Sequence, residues 1–434
     1  MIPTIIISIS TCVLVIASIL FFPKIRIKNI RIDVYWIITL IGAIILLSFS
    51  FAPIKEVKDQ LTSNTSINPI KILILFFSMT MISVFLDELG LFRFLASVAS
   101  SKAKGNQYLL FFLLYVLTAI STIFTSNDVV ILTLTPFICF FSKRSKINPI
   151  PYLVAEFAAA NTWSLMLLIG NPTNIYLATS AHITFIDYFK VMAVPTLVAG
   201  LSELLILFLI FRKHLKKEID NNEVIYQIED KAPLIVGIAI LIICLVFLVI
   251  SSYLNIEMWL VSLIGASSLL IFMLIYSIFN HANIYHVGET LKRLPYQLIP
   301  FFLSMFVIVV SLNYQGISQE LAKLLGDKFT IWTYGYSSFI SSNLINNIPM
   351  SILFTNLTSN LSGIEYYRAV YASIIGSNIG AFLTPIGALA GIMFSDLINK
   401  NHIKYSFLNF IKYGSIISIP VITVALAMAL LFIH

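Results

Sequence analysis

Residues 108–141 read YLLFFLLYVLTAISTIFTSNDVVILTLTPFICFF, with a Ser-Asn-Asp sequence near the middle of an otherwise apolar run. As one helix these 34 residues would measure about 51 Å at 1.5 Å per residue, whereas a bilayer hydrocarbon core is about 30 Å thick. Basic residues flank both ends, with Lys102 and Lys104 before the run and Lys143 and Arg144 after it. Because lysine and arginine collect in cytoplasmic loops, both ends are expected inside the cell. The run is therefore predicted to be a re-entrant hairpin with Ser-Asn-Asp at its tip.

The composition agrees with a membrane protein. Of the 434 residues, 59% are hydrophobic and only 11% are charged, whereas soluble domains carry about 25% charged residues. The apolar segments are long enough for helices and lack the alternation of barrel strands. The net charge of +7 is explained by basic cytoplasmic loops, so no nucleic-acid partner is expected and the lipid bilayer is the expected surroundings.

Several function classes lack a sequence signature. The three cysteines, Cys12, Cys139 and Cys244, stand singly in apolar segments, without disulfide or metal spacing. No phosphate-binding glycine loop occurs, and no nucleophile and base converge in the sequence. We therefore expect no enzyme activity, no cofactor and no metal site.

The apolar segments and the basic loops predict the architecture. The fold class is an all-α polytopic membrane protein with about eleven transmembrane helices, two re-entrant hairpins and two inverted-topology repeats. The protein is expected in the cell membrane, with its N-terminus and C-terminus outside. The predicted divisions are an N-terminal helix and first cytoplasmic loop (1–34), a first repeat (35–212) with a cytoplasmic hairpin (108–141), a cytoplasmic connector (213–232), and a second repeat (233–434) with an external hairpin (330–358).

An internal repeat supports these divisions. Each half has, in the same order, a helix ending in a polar residue and glycine, a hairpin with asparagine at its tip, and a span interrupted by glycine, proline and polar residues. Paired interrupted spans of this kind mark the central site of secondary transporters. The corresponding segments are 87–90 and 313–316, Asn127 and Asn346–Asn347, and 169–174 and 376–387.

The two tips and the two interrupted spans contain the candidate site. Unwound turns leave carbonyl groups free, and half-helix N-termini present N–H groups with partial positive charge. Amide and hydroxyl side chains there suit hydroxylated neutral species, oxyanions or a dehydrated sodium ion. The first half-site is predicted to consist of Ser126, Asn127, Asn171, Thr173 and Asn174, and the second of Asn346, Asn347, Ser377, Asn378 and Thr384.

Asp128 is the one acid at a hairpin tip, and acids inside a membrane are functional by default. We expect it to carry or gate the coupling ion, a proton or sodium; the alternative is a helix cap without a transport role. Asp87 and Glu88 are expected in a gating or a solvated role. Helix-end or paired structural roles are expected for Glu156, Glu203 and Asp396.

These motifs resemble the ion transporter superfamily over nearly the whole chain. The resemblance is closest to the membrane subunits of arsenite/antimonite efflux pumps, within the arsenite-pump/sodium–proton-antiporter-type permeases. It implies a secondary transporter, and it suggests a homodimer and a pump ATPase as partners. The stretches that carry it are FLDELGLF (85–92), SNDVVILTLTP (126–136), GNPTNI (170–175), SSNLINNIPM (341–350) and IIGSNIGAFLTPIGALAGIM (374–393).

One stretch resembles another branch of the superfamily. IGNPTN (169–174) is closer to the turn of the divalent-anion/sodium symporters, although the tips here read Ser-Asn-Asp and Asn-Asn-Ile-Pro instead of Ser-Asn-Thr. The leading hypothesis is proton-coupled efflux of an inorganic anion or an arsenite- or antimonite-type metalloid. The alternatives are sodium-coupled uptake of a citrate-like carboxylate or other anion, sodium–proton antiport, and a non-transporting membrane sensor or anchor.

Overall fold

The chain is almost entirely helical, which confirms the all-α polytopic class. The computed structural model describes residues 1–22, 24–27, 30–63, 68–217, 219, 226–228, 230–251, 253–279 and 285–433. Two sequence predictions fall partly outside these described residues. They are the first cytoplasmic loop at Lys28 and the connector 213–232 at positions 218, 220–225 and 229.

The N-terminal segment contains a small strand pair that the sequence predictions omitted. In KIRI and IRID, isoleucine alternates with charged residues, which is the period-two pattern of a strand. The strands pair antiparallel, with Lys24 opposite Asp33 and Ile25 opposite Ile32. The elements are α1 (Ile2–Phe21), β1 (Lys24–Ile27), β2 (Ile30–Asp33), α2 (Tyr35–Ser48) and α3 (Ile54–Thr62).

The predicted first repeat (35–212) begins with α2 and α3 and continues in seven further helices. Helices α6 and α7 occupy the segment predicted as the first hairpin, and α8 and α9 are the two parts of an interrupted span. The elements are α4 (Pro69–Glu88), α5 (Leu91–Lys102), α6 (Gln107–Phe124), α7 (Asn127–Arg144), α8 (Ile150–Trp163), a 3-10 turn (Leu168–Gly170), α9 (Pro172–Ser180) and α10 (Phe185–Phe211).

The predicted second repeat (233–434) opens with three helices and then has the same order of elements. Helices α16 and α17 occupy the segment predicted as the second hairpin, and α18 and α19 are the interrupted span. The three opening helices are α11 (Lys231–Ile250), α12 (Met258–Phe279) and α13 (Tyr285–Arg293). The repeat continues with α14 (Leu298–Tyr314), α15 (Ile317–Leu325), α16 (Thr330–Ile345), α17 (Asn347–Thr358), α18 (Gly363–Gly380), α19 (Leu389–Lys400) and α20 (Phe407–Phe432).

Two glycines turn the chain at matching positions of the repeats. Gly90, after α4, has φ +84°, and Gly316, after α14, has φ +76°. A residue with a Cβ rarely adopts this left-handed conformation, so glycine commonly ends a helix in this way. In each repeat a short helix, α5 or α15, begins directly after the glycine.

The helix contacts relate the repeats by approximate twofold symmetry. Helix α4 packs on α12, and its counterpart α14 packs on α2. Helix α7 of the first hairpin packs on α19, and its counterpart α17 packs on α9, while α10 packs on α20. Each repeat thus completes its packing with elements from the other half, as expected for inverted repeats that surround a central site.

Within the described residues, eight helices are long and apolar enough to cross a membrane, and α6 of the first hairpin is one of them. The other seven, the shorter α2 and the two interrupted spans give ten candidate crossing segments beside the hairpins, against about eleven expected. The centre of the protein is formed by α8 and the second half of α18, which are buried.

Helices α16 and α18 approach each other closely at two glycines of α18, and the closer approach is at Gly376. A Cβ on Gly376 would lie 2.0 Å from the carbonyl oxygen of Gly335. Glycine at this position lets the two backbones come into contact, and it holds the second hairpin against the second interrupted span.

Candidate functional site

The first hairpin turns where α6 ends and α7 begins. Ser126 is the N-cap residue of α7 in an extended conformation. The side-chain oxygen of Asn127 accepts a hydrogen bond from the backbone N–H of Asp128 at 3.0 Å, and its amide donates to Oδ1 of Asn161 at 3.2 Å. The first tip is therefore attached to the end of α8 through an asparagine that the sequence predictions did not select.

Asp128 lies in the first turn of α7 and is half-buried. Because Ser126 occupies the N-cap position, Asp128 is not the helix cap of the alternative interpretation. Its carboxylate lines a cavity of about 620 Å³, and it makes no hydrogen bond or ion pair with the described residues. The equivalent position in the second hairpin is Ile348, so only one of the two tips presents an acid.

The first crossing turn, residues 164–171, lies between α8 and α9. The Asn171 side chain caps α9 by accepting from the N–H of Thr173 at 3.0 Å. The Asn174 amide donates to the carbonyl of Ser164 at 2.8 Å, which closes the turn. A Cβ on Gly170 would lie 2.3 Å from that same carbonyl oxygen, so the turn requires glycine.

The second hairpin tip is held by its own side chains. Asn346 has φ +71° and ψ +153°, which is strained for a residue other than glycine. Its amide donates to the carbonyl of Ile386 at 3.0 Å, and its side-chain oxygen accepts from the N–H of Ile348 at 3.3 Å. The backbone N–H of Asn347 donates to the carbonyl of Gly387 at 3.0 Å. These bonds attach the second tip to the second crossing turn.

The second crossing turn, residues 381–388, has a similar internal closure. The Thr384 hydroxyl donates to Oδ1 of Asn343 at 2.7 Å, and the Asn343 amide donates to the carbonyl of Gly380 at 2.9 Å. The Ser377 hydroxyl bonds to the carbonyl of Ile374 within its own helix at 3.0 Å. Asn343 was not among the predicted site residues, yet it holds this turn together.

The two half-sites meet through Asn378. Its amide donates to Oδ1 of Asn174 at 2.7 Å, and the Ser164 hydroxyl lies 2.9 Å from its side-chain oxygen. The same hydroxyl lies 2.6 Å from the carbonyl of Asn161, which contacts the first tip. A continuous line of polar contacts therefore runs from Asn127 to Asn174 and includes residues of both repeats.

Asn161 could have been found from the sequence by aligning the repeats. It stands nine residues before Gly170, and Asn378 stands nine residues before Gly387. The two asparagines are therefore equivalent. Ser164 is equivalent to Ala381, so no repeat signal marks it.

Unsatisfied polar atoms cluster in the first repeat. Three of the predicted site residues have a buried side-chain atom without a hydrogen-bond partner among the described residues: Oγ of Ser126, Nδ2 of Asn171 and Oγ1 of Thr173. None of the predicted residues of the second half-site is in this condition. Because a buried polar group without a partner is costly, these three atoms are the ones best suited to contact a polar ligand.

Two cavities lie at equivalent places of the repeats. One, which we call the Asp128 cavity, lies between α4, α7 and α19 and is lined by Thr80, Asp128 and Pro385, among other residues. The other, the Asn313 cavity, has a volume of about 450 Å³ and lies between α14, α17 and α9, with Asn313, Tyr176 and other residues on its wall. The first cavity reaches a hairpin tip, whereas the second extends only to Ile352, on the second turn of α17.

The remaining acids have defined partners. Asp87 and Glu88 both pair with Arg293, which also lines the Asp128 cavity; the Asp87–Arg293 distance is 2.6 Å. Asp87 is buried, so the solvated role considered for it is wrong. Asp396 pairs with Lys24 at 3.0 Å and with Lys400. Glu156 contacts the Thr135 hydroxyl at 2.8 Å, and Glu203 contacts hydroxyl groups only.

The rim of the Asp128 cavity includes Asp33 of the strand pair. Burial raises the pKa of Asp33 above its usual range, and the nearby ammonium group of Lys24 partly opposes this rise. The ion pair between Lys24 and Asp396 connects the strand pair to α19 across the same rim.

Comparison with known proteins supports the transporter interpretation. A protein-family model described as "Citrate transporter" (CitMHS) matches residues 25–363. The chain is 28% identical over 368 residues to the arsenical pump membrane protein of Escherichia coli K12, with 81% of this chain and 84% of that protein covered. It is 24% identical over 426 residues to the uncharacterized transporter slr0753 of Synechocystis, with 91% of each chain covered.

A solved structure shares the fold. The YdaH transporter of Alcanivorax borkumensis superposes with a TM-score of 0.53 at 15% sequence identity, over 99% of this chain and 97% of that chain. The solved structure supports the fold, and the family model and the relatives identify the chain as a polytopic membrane transporter of the ion transporter superfamily. The chain belongs to the CitMHS citrate transporter family, and its resemblance to the arsenical pump membrane proteins is confirmed.

Proposed function

We propose that this chain is a secondary active transporter that exports an arsenite- or antimonite-type metalloid, or another small inorganic anion, in exchange for protons. The observation that carries the proposal is the position of Asp128. It is the one acid at a hairpin tip, it faces the Asp128 cavity, and its carboxylate has no hydrogen-bond or ion-pair partner among the described residues. The named relatives that are arsenical pump membrane proteins support the metalloid as substrate.

The chemistry of the candidate site suits a small hydroxylated substrate. Arsenite at neutral pH is mainly the uncharged trihydroxide, which both donates and accepts hydrogen bonds. Hydroxyl groups of Ser126 and Thr173 and the amide of Asn171 have free hydrogen-bonding capacity in the first half-site. The three cysteines are free and unclustered, so recognition by several thiolates is not part of the proposal.

The second half-site supports the first. Asn346, Asn347 and Thr384 hold their own tip and turn, while Ser377 and Asn378 belong to the buried end of α18. We infer that Asn378 contacts the substrate region through Asn174 and Ser164, and that the other four residues keep the second tip rigid.

Proton coupling follows from the surroundings of Asp128. A protonated Asp128 is neutral and fits a protein interior, whereas an ionised Asp128 requires water or a cation. In the proposed cycle, the acid takes a proton when it faces the outside and loses it to the Asp128 cavity when it faces the cytoplasm. Metalloid and proton cross the membrane in opposite directions, and the cycle makes and breaks no other bond.

The two cavities support an alternating-access cycle. The Asp128 cavity reaches the first tip, and Tyr176 and Phe302 stack edge to face at 5.6 Å beside the Asn313 cavity. With the N-terminus and the C-terminus outside, as the basic loops indicate, this arrangement is an inward-open state. Labelling single cysteines at residues 3 and 433 with a membrane-impermeant reagent in intact cells tests that orientation. Protection of both from the reagent would contradict it.

The decisive experiment measures transport by purified protein in proteoliposomes. Arsenite, antimonite, citrate, succinate and sulfate are each offered under an imposed proton gradient or an imposed sodium gradient. We expect a proton gradient to drive arsenite and antimonite in the direction opposite to proton flow, without a requirement for sodium. Sodium-dependent movement without any proton dependence would overturn the proton-antiport mechanism.

Sodium-coupled transport of a citrate-like carboxylate is the second candidate, and the family description favours it. Citrate carries several negative charges and needs cationic partners. The arginine on the wall of the Asp128 cavity, Arg293, is already engaged by Asp87 and Glu88. Sodium–proton antiport is a third candidate, and a non-transporting sensor or anchor comes last. The proteoliposome assay separates all four, because a sensor moves none of the substrates.

Two partners complete the proposal. The superfamily resemblance suggests a second copy of this chain, in a homodimer, and a pump ATPase as partners. Mass measurement of the purified protein in nanodiscs tests the dimer. Proton-driven arsenite transport by the chain alone would show that the ATPase is dispensable for transport.

A further inference from the structure

A buried carboxylic acid on α10 lies behind the candidate site, and the proposed mechanism does not use it. Glu203 is 0% exposed. Its side chain contacts Tyr115 of α6 at 3.1 Å and accepts from the hydroxyl of Thr162 at the end of α8. Thr162 directly follows Asn161, which contacts the first hairpin tip. Glu203 thus joins three elements next to the first half-site.

No cationic side chain among the described residues neutralises the charge that an ionised Glu203 would carry. Among the described residues, no lysine, arginine or histidine forms an ion pair with Glu203. A fully buried carboxylate held by hydroxyl groups alone is costly, because its charge has lost its water. The surroundings therefore favour the neutral acid.

The hydrogen bonds of Tyr115 favour the same form. Its hydroxyl has one hydrogen, and its oxygen lies 2.7 Å from the carbonyl oxygen of Gly200 and 3.1 Å from Oε1 of Glu203. The shorter contact takes the tyrosine hydrogen. The longer contact between two oxygens then needs a hydrogen from Glu203 itself, and the Tyr115 oxygen also accepts from the indole N–H of Trp163 at 3.1 Å.

The second repeat shows that the fold does not require this network. Counted from the hairpin tips, the equivalent of Tyr115 is Gly335, and counted from the crossing turns, the equivalent of Thr162 is Ile379. A Cβ on Gly335 would lie 2.6 Å from the side chain of Leu426 on α20. The same place in the second repeat is thus filled by apolar contact, so the polar network is specific to the half with the acid at its tip.

We propose that Glu203 is a positioning residue that acts as a permanently neutral acid. Its proton is donated to Tyr115, it accepts from Thr162, and the resulting network holds α8 in the place where Asn161 meets the first hairpin tip. The effect of this network on transport rests on the proposed function. The protonation state of Glu203 can be measured independently of transport.

The test compares Glu203→Gln, Glu203→Leu and Tyr115→Phe with the wild-type chain in proteoliposomes. Glutamine can donate to Tyr115 and accept from Thr162, so we expect Glu203→Gln to keep its arsenite transport rate within about two-fold and to keep its proton dependence. Leucine at position 203 removes both bonds, and we expect a rise in the KM for arsenite of at least about ten-fold. Loss of proton-coupled transport in folded Glu203→Gln would overturn the proposal, because it would show that Glu203 must ionise.

Infrared spectroscopy provides the readout that does not depend on transport. The wild-type protein at neutral pH should show a carbonyl band of a protonated carboxylic acid that is absent in Glu203→Gln and shifted in Tyr115→Phe. Glu156→Gln is the control for the other buried acid that has no cationic partner among the described residues, and it should leave the Glu203 band in place. If Glu203→Gln removes a carboxylate band instead, the neutral-acid assignment is wrong. If the wild-type chain moves no arsenite, the proposed function fails while the infrared result still decides the state of Glu203.

Discussion

The side-chain amide of Asn378 donates a hydrogen bond to Oδ1 of Asn174 at 2.7 Å, across 204 residues of sequence. Asn174 lies in the first turn of α9, after the first crossing turn, and Asn378 lies in the last turn of α18, before the second. This contact brings the two repeats together at the candidate site, where both side chains are 0% exposed.

Substitution of either asparagine by alanine should impair transport and stability together. In Asn378→Ala, the side-chain oxygen of Asn174 loses its donor and the hydroxyl of Ser164 loses one of its two acceptors. Each buried group left unsatisfied costs about 1–3 kcal/mol. We therefore expect kcat/KM for arsenite to fall by about ten-fold or more. In a double-mutant cycle with Asn174→Ala, the two losses should be non-additive by about 0.5–3 kcal/mol. Additive losses would mean that the two residues act independently.

Replacement of Asp128 by asparagine should remove proton coupling. Asparagine has similar size but cannot take up or release a proton, so stimulation of arsenite transport by a proton gradient should disappear, while substrate exchange without a gradient persists. Asp396→Asn is the matched control, because Asp396 lines the same cavity but is paired at its rim. Exposed ion pairs contribute only about 0–1 kcal/mol, so the control should keep its proton dependence. Unchanged proton stimulation in Asp128→Asn would remove Asp128 from the coupling role.

Removal of Arg293 should destabilise the protein strongly. Arg293→Ala leaves Asp87 and Glu88 without their common cation, and Asp87 is 1% exposed. Breaking a buried ion pair in this way costs about 3–5 kcal/mol. Lys323→Ala breaks an exposed pair with Glu320 on α15 and should cost no more than about 0.5 kcal/mol. Thermal unfolding in detergent compares the two, and equal midpoints would show that the pairing of Arg293 contributes little.

At Asn346, glycine should be tolerated better than alanine. Both replacements lose the bonds to Ile386 and Ile348, but alanine must also adopt φ +71° with a Cβ, at an additional cost of about 1–3 kcal/mol. At Asn356, inside the helix α17 that Asn346 caps, the order should reverse, because glycine is about 1 kcal/mol worse than alanine in a helix. Unfolding midpoints of the four variants check both orders. Alanine equal to glycine at position 346 would contradict the strained conformation.

Gly376→Ala should separate α16 from α18. The new methyl group would meet the backbone carbonyl of Gly335 at 2.0 Å, and neither backbone can yield without moving a helix. We expect a loss of at least about 2 kcal/mol, as for other overpacked sites. Gly288→Ala on α13 meets nothing within 4 Å and should stabilise its helix by up to about 1 kcal/mol. Yield and unfolding midpoint in detergent give the comparison.

The sequence could predict the features that depend on the pattern of neighbouring residues. The position of the first hairpin was predicted from the apolar run at 108–141, which has basic residues at both ends. The position of the second was predicted from the paired motifs. The strand pair, α3, α5 and α15 were missed because they are short and lie outside the apolar blocks. The Ala-rich helix around Asn161 gave no polar turn to draw attention to it.

The partners of the site residues were beyond sequence reasoning. No spacing rule connects Asn174 with Asn378, because their contact depends on how two interrupted spans cross in space. Likewise, the sequence shows Asn127 and the pair Asn346–Asn347 as equivalent tips. The strained backbone and the bonds to the adjacent turn are what separate a self-contained second tip from a first tip with unsatisfied polar atoms.

The exchange of packing between the halves has a consequence for biosynthesis. Helix α4 packs on α12, whose first residue, Met258, is synthesised 170 residues after Glu88 at the end of α4. At about 5–20 residues per second, the ribosome needs roughly 10–30 s to deliver that partner. During this interval α4, with Asp87 not yet paired to Arg293, must wait in the bilayer or in the insertion machinery. A newly made first half of the chain thus contains Asp87 without Arg293, and this intermediate is the form that cellular quality control would recognise.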